Sequence, residues 1–510
     1  MTAGNSPTLI LTRNGKADPG QEVQLAALKT RLQQPDARLL LHLHGGLVNQ
    51  ASGEAAAQRL AGSGDNSWQL GPDWAQLYVI WRTGAFETLA TNWTDLVHDD
   101  RLYQTILRKL ISFVGGKLGM PAIGGTRAAA STFGFDEAEI HRRIIGQGDR
   151  RDPFGEIDVH LAPELPTGAR AALITPQDEG ELALEFQAQL AADDQFQLAT
   201  GEIGAFTEVV AGTRGISSLA GILEPDDGRS LARLDASVRA EIAAAIPAGG
   251  PSRGAVSVGV SVLKHAGMIA YRVFKRFRNR RDHGFHATIV EEICRELYGD
   301  LVGAKVWGMM VQDAADHFAP GGFGTTLLDL LKDVPAPQRF AVTAHSAGSI
   351  WASRMLLALA ARNQTARLRL IMLAPAARHD LFAETVGAAG NRIELCRMFT
   401  MTDELERKDA VLGHEKGYIY PSSLLYCVSG LFEERSAAAY PDAPLVGMQR
   451  YAGVTWLDPD EASNAQTITG FFSAPGRGIV TSPTPGITMA DCHGCFDDEP
   501  LTLKSAAALF

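Results

Sequence analysis

Phe340-Ala341-Val342-Thr343-Ala344-His345-Ser346-Ala347-Gly348-Ser349-Ile350 decides the fold, because it turns an apolar strand into a helix on a serine. Phe340 to Thr343 suit a buried strand, and Ile350, Trp351, Met355 and Leu359 recur at helical spacing behind it. An abrupt turn of this kind leaves no room for bulk, and Ala344 and Gly348 stand two residues before and two residues after Ser346. The backbone at Ser346 is expected to be strained, and its hydroxyl to be a nucleophile.

Outward from this turn, Arg367 to Leu373 and Arg392 to Met401 read as further strands. Nearer the start, apolar runs at Thr8–Thr12, Arg38–Leu43 and Gln76–Trp81 alternate with helical patterns at Glu22–Leu32, Ala51–Leu60 and Leu102–Leu118. Alternation of this kind signals an α/β fold, a mostly parallel sheet flanked by helices. The strand at Arg38–Leu43 runs into His44-Gly45-Gly46. Glycines there let the backbone approach a ligand closely, at the sheet edge where open parallel sheets bind ligands. From about Met120 to Gly250 the rhythm fails in a region rich in Gly, Pro, Ala and acid. Residues 1–119 therefore read as the first part of a core, 120–284 as an inserted or cap region before the nucleophile strand, and 285–510 as the rest of the core.

The chain has 510 residues, 45% of them hydrophobic and 21% charged, which suits a soluble globular protein. A formal net charge of -11 argues against a nucleic-acid partner, which calls for a basic surface. The polar opening Met1 to Pro7 has no signal-peptide pattern, and the five cysteines are too scattered for a disulfide framework. A reducing cytoplasm is the expected location. Between Gly254 and Arg281 an apolar run leads into a basic cluster of Arg272, Lys275, Arg276, Arg278, Arg280 and Arg281. The first reading is a core-packing helix with a solvated polar end, and the second a helix that makes peripheral contact with an anionic membrane. Oligomeric state is left open by the sequence.

A serine hydroxyl is a weak nucleophile until a base takes its proton, and imidazole suits that task near neutral pH. Of the 13 histidines, His493 combines a late position with a loop beside Gly494, and is preferred to His379 and His414. Asp403 follows the strand ending at Met401 on the sheet edge expected to carry Ser346, with Glu404, Glu394 and Asp380 as rivals. Cys492 and Cys495 bracket His493, but no second pair completes a metal site, so two free thiols are expected, with a reversible disulfide as the alternative.

The order Ser346, Asp403, His493 and the elbow at Ser346 resemble the α/β-hydrolase superfamily, whose elbow is G-x-S-x-G and whose triad runs Ser, acid, His. Position 344 is Ala where that motif usually has Gly. The resemblance implies Ser346 as nucleophile, His493 as base and Asp403 as its orienting acid. It also implies an oxyanion hole from the backbone N–H of Ala347 and of Gly46 or Leu47. The activity it implies is cleavage of a carboxylic ester or related acyl bond in a small molecule, with no cofactor and no metal. A second small-x-Ser-x-Gly match at Ala255–Gly259 lies in a continuous apolar run without a strand-to-helix boundary. Two other functions stay open: a lipid-active esterase that docks through residues 254–281, and a non-catalytic binding module on the same fold.

Overall fold

The computed structural model describes residues 7–46, 49–81, 86–118, 135–160, 176–214, 230–245, 251–433, 442–454, 456 and 458–510. Eight strands form one sheet: β1 (Thr8–Arg13), β2 (Lys16–Ala17), β3 (Arg38–Leu43), β4 (Trp74–Trp81), β5 (Arg339–His345), β6 (Leu368–Leu373), β7 (Ile393–Met401) and β8 (Arg477–Ser482). They lie in the order β2-β1-β4-β3-β5-β6-β7-β8. Only the β1–β2 pairing is antiparallel. The expectation of an α/β fold with a mostly parallel sheet therefore holds.

The central strands are buried on both faces, as a helix-covered parallel sheet requires. All of β4 is buried, and so is β3 from Leu39 onward. Register matters more for the site than length. Leu43 of β3 pairs with Ala344 of β5, so the two strands end level and the Gly45-Gly46 turn emerges beside Ser346. At the opposite end of the sheet, Arg339 and Arg369 donate to the carbonyls of Phe510 and Leu509, and the Phe510 ring packs edge-on against Trp68.

Strand β8 was not foreseen. Its sequence, Arg477-Gly-Ile-Val-Thr-Ser482, is short and lies at the sheet edge with Ile479 48% exposed, so it lacks the long apolar run of a central strand.

Between β4 and β5 every described element is helical, from Phe86–Asp99 to Phe323–Asp333. The run of helices continues past residue 284 to Asp333. Within it, residues 156–160 belong to the helix Gly155–His160.

The longest helix, Pro251–Arg278, packs on the helices Pro176–Ala191 and Asp194–Arg214. Its basic end is not a solvated face. Arg272 pairs with Glu296, Arg276 with Glu291 and Glu292, and Arg278 with Glu179, while Arg281 just beyond it pairs with Asp442 and Glu461. Four of the six cations seen as a basic cluster are engaged in internal ion pairs, with acids 15 to 180 positions away in the sequence.

The innermost of these pairs hold the helical block against the last third of the chain. Arg276, Glu291 and Glu292 are fully buried, and Glu291 also accepts from Tyr420 Oη at 2.5 Å and lies 3.0 Å from His283 Nδ1. Arg281 grips Asp442, which accepts in addition from Tyr451 Oη at 2.6 Å. Removing one partner of such a cluster leaves the others charged and dry. Arg276→Met is expected to cost about 3–5 kcal/mol of unfolding free energy, read from the urea midpoint; an unchanged midpoint would show that the buried carboxylates do not depend on it.

Candidate active site

The turn at Ser346 has the strain its sequence suggests. Ser346 adopts φ +50°, the left-handed region that residues with a Cβ rarely occupy. Four hydrogen bonds hold it there. Its N–H donates to the Leu373 carbonyl at 2.9 Å, and its carbonyl accepts from Ala376 N, Ser349 N and Ser349 Oγ. Gly348 is required next to it: a methyl group there would lie 2.4 Å from the Leu43 carbonyl oxygen, a backbone atom that cannot move aside.

The glycine turn after β3 packs against this elbow. A methyl on Gly45 would sit 3.3 Å from Ser346 Cβ, and one on Gly46 3.1 Å from Ala347 Cβ and 2.0 Å from Met310 Cε. His44 shapes the turn through both ring nitrogens. Its Nδ1–H donates to the Gly45 carbonyl and its Nε2 accepts from Trp81 N–H. Burial holds the His44 imidazole down to about 4, in the neutral form that this pattern needs. Among the described residues the Ala347 N–H makes no backbone hydrogen bond. Leu47 lies outside the described residues.

Ser346 and His493 are brought together. Ser346 Oγ–H donates to His493 Nε2 at 2.9 Å, across 147 positions of sequence, with Ser346 1% and His493 5% exposed. His493 opens a short 3-10 turn, His493–Cys495, between β8 and the final helix Pro500–Ala507. Asp409 Oδ2 accepts from its backbone N–H at 2.8 Å, and its carbonyl accepts from His345 Nε2 at 3.1 Å. Burial, with the neighbouring His345 as a smaller cause, pushes the His493 imidazole well below its usual range.

Asp403 is not brought to the histidine. It is the first residue of the helix Asp403–Lys408, and its carboxylate is held by Arg407 at 3.1 Å, Arg450 at 3.1 Å and the Tyr426 hydroxyl. Nδ1 of His493 is buried with no hydrogen-bond partner among the described residues. The carboxylate that binds the His493 segment, at its backbone N–H, belongs to Asp409, six positions further on and just past the end of that helix. Sequence reasoning missed it because a strand end followed by Thr402-Asp403 looks like the position for an acid, whereas the chain makes one more helical turn first. That short amphipathic turn, Asp403-Glu-Leu-Glu-Arg-Lys408, was the available signal.

Cys492 and Cys495 are joined by a disulfide, contrary to the expected free thiols. The 3-10 turn brings them together, with Cys495 N–H donating to the Cys492 carbonyl. Asp491 adds a carboxylate within 4.8 Å of both sulfurs, but the disulfide occupies the sulfurs. The other three cysteines are buried thiols. No helix among the described residues is long and apolar enough to cross a membrane. Two sizeable cavities do not include Ser346 in their walls. One of about 700 Å³ is lined by Trp307, Ile350, Arg354 and Arg378, the other of about 500 Å³ by Tyr451, Trp456 and Phe472.

Because Asp403 neutralises two arginines, Asp403→Asn is expected to lower stability by about 1–3 kcal/mol in a thermal melt, without displacing His493 from Ser346. Comparison with protein-family models, with curated proteins and with solved structures found no match for this chain.

Proposed function

We propose that this protein is a serine hydrolase of the α/β-hydrolase type, which cleaves a carboxylic ester or a related acyl bond through an acyl-enzyme. The observation that carries the reading is the 2.9 Å hydrogen bond from Ser346 Oγ to a buried, neutral His493 Nε2, on a serine held at φ +50°. A strained strand-to-helix elbow that presents a hydroxyl to an imidazole is the arrangement nucleophilic catalysis needs. The turn between β3 and the helix Gln50–Ala61 also has the place that such enzymes use for a second oxyanion donor.

In this reading His493 takes the Ser346 proton as Oγ attacks the carbonyl carbon. The N–H of Ala347, with Gly46 beside it, faces the developing oxyanion. His493 then passes its proton to the leaving group, and a water repeats the sequence on the acyl-enzyme. Asp409 replaces Asp403 as the acid. Its carboxylate already binds the His493 backbone N–H through Oδ2, with Oδ1 accepting from Ala410 N–H, and Nδ1 of His493 is the buried ring nitrogen that lacks a partner among the described residues. Burial raises the Asp409 carboxyl, and in this reading the imidazolium formed in the transition state favours its ionised form.

A fluorophosphonate probe is expected to label the folded protein covalently, and Ser346→Ala to abolish labelling and hydrolysis of short p-nitrophenyl esters. Absence of labelling in the parent would favour a non-catalytic binding module. Asp409→Asn is expected to lower kcat/KM by about 10²-fold or more, while Asp403→Asn leaves the turnover of native protein within about threefold; the reverse ranking would return the acid to Asp403. Since a base works when neutral and burial favours that form, the acidic limb of kcat/KM is expected well below pH ~6.5, the unperturbed histidine value.

A further inference from the structure

His345, the residue between the last small residue of β5 and the nucleophile, has no part in the chemistry above, yet it touches the base from the side. Its Nε2 lies 3.1 Å from the His493 carbonyl oxygen. A carbonyl only accepts, so Nε2 carries the proton and donates. The two imidazole rings are stacked, with centroids 5.4 Å apart and planes 28° from parallel. The other ring nitrogen, Nδ1, faces Asp497 Oδ2 at 3.8 Å. Asp497 is tied down in turn, its carbonyl accepting from Arg59 Nη1 at 2.7 Å and its carboxylate 3.8 Å from Arg59 Nη2.

The arrangement is placed by chain connectivity. His345 is the final residue of β5, so its backbone is fixed by pairing with Leu373 of β6. His493 sits on a turn outside the sheet, closed on itself by the Cys492–Cys495 disulfide and anchored to the rest of the fold by Asp409 at its N–H and by His345 at its carbonyl. Both hydrogen bonds to the peptide groups flanking the base thus come from groups outside its own loop. A loop hydrogen-bonded at one end only can pivot, and a small misplacement of a general base costs rate steeply.

Resting on the serine-hydrolase reading, we infer that His345, backed by Asp497 and Arg59, is a positioning residue that clamps the His493 loop and holds its imidazole against Ser346. The clamp has an electrical consequence as well. His345 contributes to pushing the His493 imidazole down, so it helps keep the base neutral. The other charged or titratable groups around this pair are Asp497 and Arg59, His42 and His44 at the end of β3, and Asp409, itself influenced by His414 and Asp491.

The two effects separate in three variants of the full-length protein. In His345→Gln the side-chain amide can still donate to the His493 carbonyl, His345→Phe keeps a ring without a donor, and His345→Asn is polar but too short to reach. The second-order rate of fluorophosphonate labelling at its pH plateau is expected to fall about tenfold in the Phe and Asn variants, the scale of one hydrogen bond, and to return to within about threefold of the parent in the Gln variant. In all three the acidic limb is expected to move to higher pH, because an uncharged neighbour lets His493 hold its proton longer. A purely structural role would not restore the rate in Gln while leaving the limb shifted. If the Phe variant does not fold, the Asn variant makes the same test. Parent rates and an unmoved limb in the donor-less variants, or an equal loss in the Gln variant, overturn the inference and leave the hydrolase reading standing. An unlabelled parent overturns both.

Discussion

The close approach of Gly348 to the Leu43 carbonyl is the constraint on which the rest of the site depends. Without a side chain at 348, the helix Gly348–Ala361 starts directly over the end of β3, and β5 has one residue, Ser346, in which to change direction. That residue takes the left-handed conformation because the hydrogen bonds to Leu373, Ala376 and Ser349 leave it no other. Strain of this kind, of order 1–3 kcal/mol, persists only when the surroundings over-determine the backbone. The surroundings here are the level ends of β3, β5 and β6, which also deliver the glycine turn and His345 to the same place.

Burial then sets the electrostatics. Ser346, His493, His44 and His345 all have less than a tenth of their surface exposed, so their hydrogen bonds are made in a medium that screens weakly. Burial lowers the proton affinity of the His493 and His44 imidazoles, and a neutral His44 can accept from Trp81 N–H and donate to the Gly45 carbonyl at once. Elsewhere the chain buries charge openly and compensates it in clusters. Arg276, Arg281, Glu291 and Asp442 connect the helical block to the segment that carries Arg450, which in turn neutralises Asp403. The acid expected to serve catalysis is thereby drawn into the scaffold.

The legible part of the fold was the part with strong period. Strands β3, β4, β5, β6 and β7 are runs of buried apolar residues, and the helices at Glu22–Leu32, Arg101–Lys117 and Gly348–Ala361 repeat on one face, so each was readable within a residue or two. Strand β8 was not, because an edge strand needs no continuous apolar run. The helices between about 120 and 250 were missed for a related reason: alanine-rich and acidic segments such as Pro176–Ala191 bury only a few residues against Pro251–Arg278, and their pattern is faint in sequence. The basic residues 272–281 looked like a surface because their acidic partners, from Glu179 to Glu461, are scattered along the chain.

Sequence alone determined the elbow, since a serine flanked by Ala344 and Gly348 between a strand and a helix has few other backbone paths, and it determined the glycine turn after β3. It also singled out His493, through its late loop position. Which carboxylate attends that histidine was decided by tertiary structure. Asp403 and Asp409 are equivalent as acids after β7, and the packing of Arg407, Arg450 and Tyr426 around the first leaves the second at the His493 backbone N–H. Chain order can state that an acid follows a strand; the distance from a carboxylate to an imidazole depends on every element packed between them.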